Sequence, residues 1–152
     1  MKEELRALYQ ELILEHGTEP RNCYPLAEAN GVAEGINPLC GDAVKVYVHI
    51  DGDIVHKVSF QGSGCAISVA SASMMTELFV GKSLSEVKSL CESFKQTLTQ
   101  THERETPELG KAQALCGVKA FPSRVKCATL AWHTALAALK DQSGIVVSTE
   151  CE

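Results

Sequence analysis

The spacing of apolar residues changes along the chain, and each change marks a different kind of element. From about Lys2 to Glu15, Leu5, Leu8, Leu12 and Ile13 recur at near-helical intervals, and Gly17 and Pro20 close the helix they predict. Residues 18–41 carry Pro20, Pro25, Gly31, Gly35 and Pro38 with little periodicity, which predicts loop with one short strand at Val32. From Ala43 to Gln61 the period becomes two. Val44, Val46, Val48 and Ile50 alternate with Lys45, Tyr47 and His49, and Asp51-Gly52-Asp53 then turns the chain into a second strand. A three-residue turn sets Ile50 opposite Ile54, Val46 opposite Val58 and Val44 opposite Phe60, keeping one face apolar. His56 falls on that face and reads as a packing histidine, His49 as a solvated one.

The second half predicts helices. An Ala-, Ser- and Met-rich stretch from about Cys65 to Val80 ends at Gly81, and Ser83-Leu84-Ser85-Glu86 is a capping box that opens a helix running to about Gln100. Thr106-Pro107 opens a short helix ending near Gly117, and the last helix spans about Ser123 to Lys140. Together these predict a small α+β domain over residues 1–140, with a mostly antiparallel sheet of about three strands, helices packed on one face, and a flexible tail over 141–152.

Composition narrows the function. With 14 basic and 19 acidic residues the net charge is -5, and the scattered Lys and Arg form no basic stripe, so nucleic acid is not an expected partner. The longest apolar run is Ala135 to Leu139, far short of the ~20 residues that span a bilayer, and the first residues lack a secretory pattern. No membrane partner and a cytoplasmic location are therefore expected. The chain carries seven cysteines, at 23, 40, 65, 91, 116, 127 and 151, an odd number. In a reducing compartment such thiols serve metal binding, sulfur chemistry or plain packing rather than cross-linking.

Three of them stand in distinctive contexts. Cys40 lies in Asn37-Pro38-Leu39-Cys40-Gly41-Asp42, Cys65 follows Gly62-Ser63-Gly64, and Cys127 is near the start of a helix. A thiol in the first turn of a helix meets exposed amide donors and the positive end of the dipole, which favour the thiolate. Cys40-x-Asp42 can present both side chains to one side of an extended segment. Three thiolates and one carboxylate would complete a four-coordinate zinc with a site charge of -2, which Arg124 and Lys126 could offset. Spacing alone leaves a metal site and buried packing cysteines both open. Cys23, Cys91, Cys116 and Cys151 read as packing or tail thiols, and His16, His102 and His133 as ordinary polar residues.

The stretches Asn37–Asp42, Phe60-Gln61-Gly62-Ser63-Gly64-Cys65-Ala66-Ile67-Ser68 and Phe121-Pro122-Ser123-Arg124-Val125-Lys126-Cys127-Ala128-Thr129-Leu130 resemble the U-type iron-sulfur cluster assembly proteins in order and interval. The resemblance covers nearly the whole chain apart from the tail. It is nearer the SufU branch than the IscU scaffold subtype. Lys126 stands where scaffolds have a histidine, a segment of roughly Thr101 to Arg124 is added, and the scaffolds' Leu-Pro-Pro-Val-Lys motif is missing. The resemblance implies an IscU-like fold in which Cys40, Asp42, Cys65 and Cys127 bind Zn(II). It further implies that Cys40 accepts persulfide sulfur from a pyridoxal-phosphate cysteine desulfurase, for delivery to downstream iron-sulfur assembly machinery. A [2Fe-2S] scaffold is the alternative it leaves. Arg124 and Lys126 would then act around the site or respond to the partner.

Overall fold

The computed structural model describes residues 3–39, 41–99, 106–140 and 145–148. In chain order these form α1 (Glu3–Thr18), β1 (Gly31–Asn37), β2 (Asp42–Asp51), β3 (Ile54–Ser63), α2 (Ala66–Phe79) and α3 (Leu84–Thr99). A 3₁₀ segment (Pro107–Ala120), α4 (Pro122–Leu139) and β4 (Ile145–Ser148) follow. The fold is α+β, as the pattern predicts. No helix among the described residues is long and apolar enough to cross a membrane.

Strands β1, β2 and β3 form the antiparallel meander, in the order β3-β2-β1. The register of the hairpin differs from the predicted one. Gly52-Asp53 makes a two-residue turn with Asp51 opposite Ile54, and a bulge at His56 then sets Val48 opposite Val58 and Val46 opposite Phe60. Gly52, at a φ of +65°, supplies the backbone such a tight turn demands. The bulge adds one residue and restores the alternation, so Val46, Val48, Val58 and Phe60 all face the core. It also turns His56 outward into an exposed, edge-on contact with His49. The expected packing histidine is thus replaced inside by Val55.

Two elements exceed the sequence expectation. The strand expected at Val32 extends over seven residues as β1. Ile145–Ser148, expected within a flexible tail, is strand β4, parallel to β1 with Ala33 opposite Ile145 and Ile36 opposite Ser148. The physical reason is the free edge of β1, whose outer amides and carbonyls take a partner from the chain itself.

One face of the sheet carries α4 against β1 and β2, and α2 against β3. Gly35 sets how closely α4 can lie, because a Cβ there would overlap Thr134 Oγ1. Trp132 anchors the helices on each other: its indole stacks on Phe94 of α3 with centroids 3.9 Å apart and meets Phe79 of α2 edge-on at 5.2 Å. Its Nε1 donates to Ser71 Oγ at 2.9 Å, so the one polar atom of this buried ring has a partner. The capping box forms as the sequence predicts, with Glu86 N donating to Ser83 Oγ at 3.2 Å and Ser83 N to Glu86 Oε1 at 3.1 Å. Between α3 and α4 the expected helix is instead a 3₁₀ segment, interrupted at Gly110 where φ is +53°.

Candidate metal centre

The end of the sheet where β1 stops and β2 starts collects the polar chemistry. Asn37 and Asp42 face each other as the last and first residues of those strands, and both are buried. Burying a carboxylate is costly unless its oxygens are paired. Asp42 Oδ1 accepts the Cys65 backbone N–H at 2.8 Å, and Oδ2 lies 3.7 Å from Cys65 Sγ. Gly64 makes this approach possible. A Cβ there would overlap the Asp42 carboxylate, and its φ of +153° suits a residue without a side chain.

Cys65 is the N-cap of α2, where its Sγ accepts the Ser68 N–H at 3.5 Å in place of the usual hydroxyl. Cys127 sits deeper in its helix than its position in the sequence suggests. Because α4 begins at Pro122, this thiol is past the first turn and receives less from the helix end. Other donors supply the difference. Asn37 Nδ2 points to Cys127 Sγ at 3.8 Å, while the thiol itself reaches the Ser123 carbonyl at 3.6 Å.

The ligand atoms of Asp42, Cys65 and Cys127 all lie within 4.8 Å of one another. Around a tetrahedral ion with bonds of ~2.0 to 2.3 Å, donor atoms stand roughly 3.3 to 3.8 Å apart. Contraction by about an ångström through side-chain rotation would close the site, so this donor set suits a borderline-soft cation such as Zn(II). The guanidinium of Arg124 is held above its ordinary pKa by a hydrogen bond to Cys127 and by the charges of Cys65 and Cys127. Among the described residues it brings positive charge to this cluster of thiols and carboxylate. The half-buried Lys126 side chain makes no hydrogen bond or ion pair among the described residues.

Of the residues picked out by sequence, the structure therefore brings together Asp42, Cys65, Cys127 and Arg124. Cys40, Cys151 and His102 lie outside the described residues. Asn37 stood within a quoted motif, yet its contact with Cys127 is 90 positions away in sequence and had no local signal. Cys91 is buried and pushed up to about 12 by desolvation, an inert thiol, whereas Cys23 is exposed. His16 is not an ordinary polar residue. It continues the stripe of Tyr9 and Leu12 on α1, is fully buried, and bonds Ser73 Oγ through Nδ1 at 2.7 Å.

The architecture is thus a one-sided α+β sheet domain with two thiols and a carboxylate gathered at the sheet end. Residues 8–146 match the NifU-like N-terminal domain, and the chain belongs to that family. It is 41% identical over 128 residues to the zinc-dependent sulfurtransferase SufU of Bacillus subtilis, covering 84% of this chain and 86% of that protein. It is 38% identical over 136 residues to the iron-sulfur cluster assembly scaffold protein IscU of Streptococcus pyogenes, covering 90% and 85%. A crystal structure from Fervidobacterium islandicum, described as a candidate iron-sulfur cluster assembly scaffold for the SUF system, superposes with a TM-score of 0.79 at 32% identity. That match covers 88% of this chain and 98% of the other.

Proposed function

We propose that this chain is a cytoplasmic, zinc-dependent sulfur acceptor that takes persulfide sulfur from a cysteine desulfurase and passes it toward iron-sulfur cluster assembly. The observation that carries the reading is the convergence of Asp42, Cys65 and Cys127 beside the Arg124 guanidinium. The likeness to SufU supports it, as does Lys126 in the position where scaffolds carry histidine.

In this reading Asp42, Cys65 and Cys127, with Cys40, hold the metal, and bound zinc supplies a Lewis acid that keeps thiols deprotonated at neutral pH. Arg124 offsets the negative charge of the donor set. Asp42 is the hard donor among soft ones, held by the Cys65 amide. Cys40 is the nucleophile. Its thiolate attacks the outer sulfur of the desulfurase persulfide, a new S–S bond forms to Cys40, and the desulfurase cysteine leaves as thiolate. No net oxidation or reduction occurs.

The test combines metal and acid-labile sulfide content, after purification without oxygen, with mass mapping of sulfur after incubation with a cysteine desulfurase and L-cysteine. Zinc without sulfide, and one added sulfur at Cys40 that Cys40→Ser abolishes, is the expected result. Iron with matching sulfide, or desulfurase stimulation with no sulfur on this chain, would replace the reading with a scaffold or an activator respectively.

A further inference from the structure

Asn37 ends β1 directly opposite Asp42, the first residue of β2, and is only 1% exposed. Its backbone carbonyl accepts the Gly41 N–H at 2.9 Å, its Oδ1 accepts the Leu39 N–H at 3.3 Å, and its Nδ2 donates to Cys127 Sγ at 3.8 Å. The Leu39 N–H decides which end of the amide is oxygen, since the oxygen accepts and the nitrogen only donates, so Nδ2 is turned to the sulfur. A buried amide is costly unless both its ends are paired, and a leucine of similar volume would fill the space without that demand. Asn37 thus joins two of the three donor residues: its strand partner carries the Asp42 carboxylate, and its side chain meets the sulfur of Cys127.

Cys127 needs such a donor once it holds a metal. As a thiol it gives its proton to the Ser123 carbonyl at 3.6 Å, but a metal-bound thiolate has no proton to give and only accepts. Arg124 brings it one donor, on an exposed side chain of the same helix. Asn37 brings another from a buried strand end. Resting on the functional reading above, we propose that Asn37 is a positioning residue of the metal centre: its amide N–H fixes Cys127 Sγ where a metal-bound thiolate must sit and sets it relative to the Asp42 carboxylate. Asn37 is not itself a ligand. It acts through Cys127, as hydrogen-bond partners of metal ligands do in general.

The full chain, isotopically labelled at nitrogen, is loaded with spin-active cadmium as an NMR-visible stand-in for Zn(II). In the wild-type chain the Asn37 side-chain amide protons should move downfield on loading, and one should split by coupling to cadmium through the N–H···S bridge. Asn37→Ser keeps an oxygen for the Leu39 N–H, adds no charge and is too short to reach Cys127. It should weaken zinc binding about tenfold in competition with a chromophoric chelator, while urea unfolding reports its fold. If that variant does not fold, the wild-type coupling decides. Cadmium held by Cys65 and Cys127 with uncoupled Asn37 protons would overturn the proposal, even if Asn37→Ser binds zinc weakly, because the residue would then be structural only. Coupling together with a variant affinity within about twofold of wild type would also overturn it, leaving a contact without positioning force. Either result leaves the functional reading standing, whereas a wild-type chain that takes up no metal at these thiols would overturn both.

Discussion

Gly64 makes room for Asp42: the carboxylate occupies the space a Cβ would fill, and the adjoining Cys65 N–H donates to it at 2.8 Å. The Gly64→Ala variant must push the carboxylate away and also adopt a strained φ. Zinc affinity is expected to fall roughly 10- to 100-fold, with a stability loss of about 1 to 3 kcal/mol. Competition against a chromophoric chelator, paired with urea unfolding, separates the two effects. Unchanged affinity would mean that Asp42 does not hold the metal.

Arg124 and Lys126 are two residues apart, yet Arg124 hydrogen-bonds the thiols while the Lys126 side chain makes no hydrogen bond or ion pair among the described residues. Arg124→Ala should weaken zinc binding about tenfold, within the range for residues that support metal ligands, and Lys126→Ala should leave it within about twofold. Equal losses from both would show that overall charge, not the hydrogen bond to Cys127, is what matters.

His16 gives the fold a pH dependence of known sign. Burial holds its imidazole below the ordinary histidine value, with Arg21 and Lys111 adding to the depression and Glu77 and Glu15 opposing it. The unfolded chain therefore binds a proton at pH values where the folded chain does not. The stability that neutral His16 supports is whole above pH ~6.5 and declines as the pH falls toward the lower folded value, by up to about 1.4 kcal/mol per pH unit. In denaturant titrations between pH 7.5 and 5, His16→Gln should flatten this part of the curve. A variant that keeps the full slope would assign it to other groups.

Thiol reactivity should divide the cysteines by place. Under native conditions an alkylating reagent should modify exposed Cys23 within minutes and spare Cys91 until the chain unfolds, because a thiol raised to about 12 offers almost no thiolate at neutral pH. Peptide mapping over time reads both. Early loss of Cys91 would place α3 loosely on the core.

The helices were legible wherever local chemistry decides them. The box at Ser83 and Glu86 needs only four residues, and Cys65 and Pro122 sit at helix starts that glycine and proline already mark. What escaped reading was decided at a distance. The bulge at His56 answers to burial of Val55 and Val58, which a count of alternating residues cannot locate. β4 depends on an open edge that exists only once β1 has formed. Within the candidate site the cysteines and Asp42 stood out by context. Asn37 was hidden because its partner is on α4, and His16 because a polar residue on an apolar stripe looks solvated until Ser73 is brought to it.

The three donor residues come from the start of β2, the cap of α2 and the body of α4, separated by 23 and then 62 positions. A cation bound there would act as a clasp closing two large chain loops at once, and the entropy of loop closure makes such clasps matter most when the loops are long. Loading the metal and completing the tertiary structure would then be one cooperative event. A partner that draws a ligand away would loosen three elements together, so that on the proposed function each sulfur transfer would be coupled to the rigidity of those elements.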